Sequence, residues 1–114
     1  MHPLILGEHS FDSRLITGTG RFSTLQKTGE ALAASGSQLC TLAVRRIDLS
    51  QGTQSKLLQS LPAGMKLLPN TAGCMTAKDA LRVARLAREA LETDLIKLEI
   101  LADPLTLYPN NAET

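Results

Sequence analysis

The apolar positions of this chain change period as it proceeds, and each change marks an element. Leu4–Leu6 is a short apolar run closed by Gly7; a turn is expected over residues 7–10 and an extended segment over Phe11–Thr17, broken by Gly18-Thr19-Gly20. Ser23–Ser35 (STLQKTGEALAAS) predicts a helix with Leu25, Ala31, Leu32 and Ala34 as apolar positions, weakened by Gly29 and followed by Gly36, where a C-terminal cap belongs. Gln38–Val44 (QLCTLAV) is apolar almost throughout, the pattern of a parallel strand covered on both faces. Residues 45–65 lack a clear period, apart from a short helix expected over Ser55–Leu61 and ended by Pro62 and Gly64. Met65–Leu68 predicts a brief strand stopped by Pro69. Over Thr76–Leu91 the period becomes helical: Ala80, Val83, Ala84, Ala87 and Leu91 form one stripe, and Lys78, Arg82, Arg85 and Glu89 fall on the solvated side. Thr76 is placed to cap this helix, with Asp79 in its first turn. LIKLEI, residues 95–100, returns to a strand's period of two.

Strand, helix, strand, an unclear segment, strand, helix and strand follow one another. Such alternation argues for an α/β fold of βαβ units with a parallel sheet and right-handed crossovers. No repeat, low-complexity linker or internal boundary interrupts residues 1–114, so a single domain is expected.

Composition narrows the function. A formal net charge of +1 gives no basic field for nucleic acid, and 3% aromatic residues leave no base-stacking surface. No apolar run approaches a membrane span, and MHPLILGEHS lacks the cationic start and the length of a secretory signal, so a protein of the cytoplasm, or of an organelle matrix that makes the protein itself, is expected. Cys40 and Cys74 have no CxxC spacing and read as reduced core or loop thiols. Neither His2 nor His9 has metal-ligand neighbours at a useful spacing, and GxSxG, Walker and HExxH motifs are absent.

Chemistry enters with LIKLEI. Ile96, Leu98 and Ile100 share one face and suit packing under helices; Leu95, Lys97 and Glu99 share the other. In an open sheet with both faces covered, two charges there are costly. In a (β/α) barrel the second face is the lumen, and near the C-terminal strand end the lumen is the active site. Desolvation disfavours an ammonium, and a neutral amine attacks a ketone or aldehyde to form an imine, with a nearby carboxylate moving protons. A Lys–Glu ion pair, or a strand end that reaches solvent, accounts for the same spacing.

Other strand ends offer weaker signals. Gly18-Thr19-Gly20 is a tight turn, or a loop whose backbone approaches an anion. Arg45 and Arg46 are a surface pair, or the ligands of a phosphate or carboxylate. In LPNTAGC, residues 68–74, Asn70 and Thr71 offer an amide and a hydroxyl at a pocket rim, and Gly73 relieves crowding.

In order, FDSRLITGTGRF, SGSQLCTLAVRR, LPNTAGCMTAKDALRVARLARE and LIKLEI resemble successive blocks of the thiazole synthases of thiamin biosynthesis, from Phe11 to the final YPNNAET. The resemblance implies a (β/α)8 barrel and a cytosolic transferase that assembles thiazole phosphate. The implied substrates are 1-deoxy-D-xylulose 5-phosphate, dehydroglycine and sulfur from a carrier protein ending in a thiocarboxylate. It implies no metal or organic cofactor, and it implies a homo-oligomer. The lysine of the family's KLE block, which forms an imine with the sugar ketone, maps onto Lys97. Glu99 becomes a candidate for proton transfer, and Asn70 and Thr71 become pocket residues.

Two departures accompany the resemblance. Family members usually carry an aspartate after the last block's proline, where Asn110 stands here. A full barrel needs roughly 250 residues, so this chain reads as an N-terminal partial barrel of about four βα units, apparently truncated and inactive alone. Another Schiff-base barrel, such as an aldolase, and a non-catalytic half-barrel that binds a synthase subunit or the sulfur carrier remain the competing readings.

Overall fold

The computed structural model describes residues 2–114, which form a mixed α/β arrangement around a parallel sheet. Strands β1 (Leu4–Leu6) and β2 (His9–Phe11) pair antiparallel as a hairpin. The turn is therefore shorter than expected, and the chain bends after Phe11 instead of running extended to Thr17. The Gln38 Oε1 atom causes that bend by accepting from the backbone N–H groups of Asp12 (2.7 Å) and Ser13 (3.1 Å). β3 (Ile16–Gly18) then opens the sheet, α1 (Leu25–Ser35) crosses over it, and β4 (Leu39–Ala43) pairs parallel to β3. Thr24 caps α1 by accepting from the Lys27 N–H, and Gly36 ends it in the left-handed conformation at φ 70°.

Two 3₁₀ segments, Val44–Arg46 and Leu49–Gln54, lead to α2 (Lys56–Ser60), which Ser55 caps. β5 (Lys66–Asn70) pairs parallel to β4, and the sheet order is β3-β4-β5. β5 thus runs through Pro69 instead of stopping there. The N–H groups of alternate residues point to opposite sides of a strand. The Lys66 N–H donates toward β4, to the Gln38 carbonyl at 2.9 Å, so the N–H that Pro69 lacks lies on the other side. α3 (Ala77–Leu91) follows, with Thr76 accepting from the Asp79 N–H as the sequence predicts.

The same proline reduces LIKLEI to a single bridge, Asn70 with Lys97, where a full strand is expected. The Lys97 N–H donates to the Pro69 carbonyl (2.8 Å) and the Thr71 N–H to the Lys97 carbonyl (3.3 Å). One step earlier the ladder needs an N–H from residue 69, and proline has none. A threonine fills in: the Thr93 hydroxyl donates to the Leu67 carbonyl and accepts from the Leu95 N–H.

The helices lie on one face of the sheet, over Cys40 and Leu42 of β4 and Leu67 of β5; Leu32, Ala87 and Leu91 close that core. On the other face the hairpin covers only the N-terminal end of the strands, where Phe11 packs with Leu39, Leu68 and Leu95. Ile100 is buried against Cys74 and Ala80, whereas Ile96 and Leu98 are 38% and 45% exposed, so only one of the three residues expected under the helices is covered. Among the described residues no helix is long and apolar enough to cross a membrane.

Candidate active site

The C-terminal half of the hairpin-side face is left open, and alternation along the strands decides what stands there. Ala43, Asn70 and Lys97 are neighbours across β4, β5 and the LIKLEI segment, and Glu99 lies two residues beyond Lys97 on the same side. The Lys97 Nζ and Glu99 Oε1 atoms are 3.5 Å apart, with side chains 47% and 34% exposed. A pair this open to water contributes roughly 0.2–1 kcal/mol. It holds the two groups in contact and yields them readily to another partner. The partly desolvated surroundings expected for Lys97 are therefore not supplied by the described residues.

Asn70 is 7% exposed and its amide is fixed at both ends. Its Nδ2 donates to Thr41 Oγ1 at 3.1 Å, and its Oδ1 accepts from the Ala72 N–H at 3.2 Å. Thr71 is 1% exposed and points at backbone, not into open space. Its hydroxyl donates to the Glu99 carbonyl and accepts from the Glu99 N–H, both at 2.8 Å. The reason is local. The Thr71 carbonyl is taken by the Cys74 N–H (3.1 Å) in a tight turn whose third residue, Gly73, has φ 89°. With that carbonyl occupied, the hydroxyl continues the ladder to Glu99. Thr71 thus anchors the backbone that carries the Glu99 carboxylate.

The two arginines after β4 diverge. Arg46 reaches across the Gly18-Thr19-Gly20 loop: a Cβ on Gly20 would come within 3.3 Å of its Nη1. The Arg45 guanidinium lies over Gly73, where a Cβ would come within 1.9 Å of Nη1. Among the described residues neither arginine makes an ion pair. Arg46, Asn70 and the Gly18-Thr19-Gly20 loop line one cleft of about 280 Å³ beside β4. Thr41, the lone polar residue within an otherwise apolar strand, also lines it; that interruption in QLCTLAV was the available signal for it.

The remaining candidates lie apart or are inert. His9 Nε2 meets Asp94 Oδ1 at 2.6 Å, tying the hairpin to the loop after α3. Both cysteines are unpaired and buried; burial pushes the Cys40 thiol up to about 11 and also raises that of Cys74, so neither is a ready thiolate at neutral pH. Among the described residues no three His, Cys, Asp or Glu side chains cluster as metal ligands.

The family model for the thiazole biosynthesis protein ThiG matches residues 5–114. A thiazole synthase of Maricaulis maris (strain MCS10) is 48% identical over 113 residues, which covers 98% of this chain and 42% of the relative. One of Shewanella sediminis (strain HAW-EB3) is 51% identical over 111 residues, covering 97% of this chain and 44% of the relative. One of Citrifermentans bemidjiense is 49% identical over 111 residues, covering 96% and 43%. The chain spans about two-fifths of the length of these curated relatives.

Proposed function

Because the chain belongs to the thiazole synthase family, we propose that it carries the imine-forming lysine of such an enzyme, Lys97, within an N-terminal partial (β/α)8 barrel. What supports this most is the pairing of Lys97 with Glu99 on the open face at the C-terminal strand ends. That is where (β/α) barrels place their chemistry.

The contact suggests the first step. Transfer of one proton from the Lys97 ammonium to the Glu99 carboxylate makes a neutral amine and a carboxylic acid together. The amine attacks the ketone carbon of 1-deoxy-D-xylulose 5-phosphate, forming the C–N bond. Glu99 returns that proton to the former carbonyl oxygen, takes a second from the attacking nitrogen and passes it to the resulting hydroxyl, which departs as water and leaves the protonated imine. Asn70 is the bridge partner of Lys97 and keeps a second amide N–H suited to orient a substrate oxygen, while Thr71 holds Glu99 through its backbone. Dehydroglycine and a carrier-protein thiocarboxylate would supply the nitrogen and sulfur of the ring. The complete transferase would be a cytoplasmic homo-oligomer, and the 114-residue chain alone would form the imine without completing the ring.

Borohydride reduction in the presence of the sugar phosphate tests this reading. The expected result is a stable adduct at Lys97, found by peptide mass mapping, and its loss in Lys97→Ala. Labelling spread over Lys27, Lys56, Lys66 and Lys78, or no adduct, would refute it. Equal trapping of unrelated keto-sugars would favour an aldolase-like enzyme.

A further inference from the structure

The cleft beside β4 is rich in hydrogen-bond donors and poor in acceptors. Arg46 brings a guanidinium with five N–H donors and no acidic partner among the described residues. The Thr41 oxygen already accepts from Asn70, so its own hydrogen is free to be donated. Asn70 uses one amide N–H on Thr41 and keeps a second. No acidic side chain lines the space. Such a set selects an anion. Its charge follows from the second arginine: Arg45 lies over Gly73 outside this cleft, so a single cation faces the ligand. One guanidinium fork matches the two oxygens of a planar monoanion, whereas a phosphate dianion calls for more positive charge.

We infer that this cleft is a carboxylate-binding subsite, in which Arg46 clamps both oxygens while Thr41 and Asn70 donate to one of them. At about 280 Å³ the space suits an acid of two or three carbons or the tip of a peptide C-terminus. Asn70 adjoins both the cleft and Lys97, so the bound acid lies about 10 Å, two strand spacings, from the lysine strand. Only the identity of the acid rests on the synthase reading: dehydroglycine or the carrier's C-terminus would present this group.

The test is an NMR titration of the isotopically labelled 114-residue chain with sodium acetate, against sodium chloride at matched ionic strength. The amides of Gly18–Gly20 and the Arg46 Nε–H are expected to shift saturably, with a Kd of the order of millimolar. Arg46→Gln should weaken binding at least tenfold, and Arg45→Gln less than twofold. Phosphate should bind no tighter than acetate. Comparing glycylglycine with acetate separates a peptide terminus from a small acid, with glycylglycinamide as the control that lacks the carboxylate; tighter binding of either carboxylate assigns the source. Shifts that merely follow chloride, insensitivity to Arg46→Gln, or a tenfold preference for phosphate would overturn the subsite. Borohydride trapping at Lys97 is read separately. Trapping without acetate binding removes the subsite alone, and acetate binding without trapping removes the synthase reading alone.

Discussion

Replacing Thr71 by valine isolates the contribution of one hydroxyl to the site. Valine keeps the shape of the side chain, which is 1% exposed, and removes both 2.8 Å hydrogen bonds to the Glu99 backbone. Each such bond contributes about 1 kcal/mol net, and more where the abandoned partner stays buried. The Glu99 side chain is about one-third exposed, so water reaches part of this segment, and the lower figure applies to both bonds. The expected loss is about 2 kcal/mol, from two bonds at the net value for each. With roughly 2.1 cal/mol/K of unfolding entropy per residue over 114 residues, that lowers Tm by about 8 °C. Thr71→Ser is the control: it keeps the hydroxyl and loses a methyl group, for about 0.8 kcal/mol. Urea melts of the three proteins decide the matter. If valine costs under about 0.5 kcal/mol, less than a single net hydrogen bond, the hydroxyl is not part of the ladder. If serine costs as much as valine, the contribution is packing. The trapping assay adds a readout that stability alone does not move. Loosening Glu99 should change the pH profile of adduct formation at Lys97, and serine should restore it.

Other perturbations probe the frame around the site. Gly29→Ala should gain up to about 1 kcal/mol of helix propensity yet destabilise the protein, because a Cβ there meets the Ser60 carbonyl oxygen at 2.3 Å; a raised Tm would refute the close approach of α1 to α2. The hydrogen bond from His9 holds the Asp94 carboxyl below its ordinary value of 3.8. A depressed carboxylate stabilises the fold above the unfolded value and loses that effect as pH falls through the folded one. The stability difference between wild type and Asp94→Asn should therefore be present at pH 6 and fade below 3.8; a constant difference in acid urea melts would count against the contact. Finally, Ile16 and Leu98 are 42% and 45% exposed near the two edges of the sheet, and Leu105 is 92% exposed. Such edges and apolar surfaces recruit partners, so sedimentation velocity should show concentration-dependent species above 12.2 kDa; a single monomer over a roughly tenfold concentration range, wide enough to reveal mass action, would refute this.

What the sequence made legible was local, and what it hid was relational. Gly36 and Thr76 announce helix ends because their work is done within a few residues, and both stand where expected. The helical stripe of α3 likewise names its buried side, Ala80, Ala87 and Leu91. Pro69 shows the limit. Its residue type says that one N–H is missing, but whether that stops a strand depends on which neighbour the N–H would have faced. Toward β4 nothing is lost; toward LIKLEI the ladder shrinks to one bridge, flanked by the hydroxyls of Thr71 and Thr93. The same distinction governs Lys97 and Glu99. A period of two assigns them one face and brings them within 3.5 Å, but it does not say what covers that face. Burial is a property of the chain segments opposite, so side chains that read as a costly buried pair stand half in water here. It follows that the reactivity of Lys97 depends on whatever closes over this face, and that imine trapping should speed up when a covering partner is supplied.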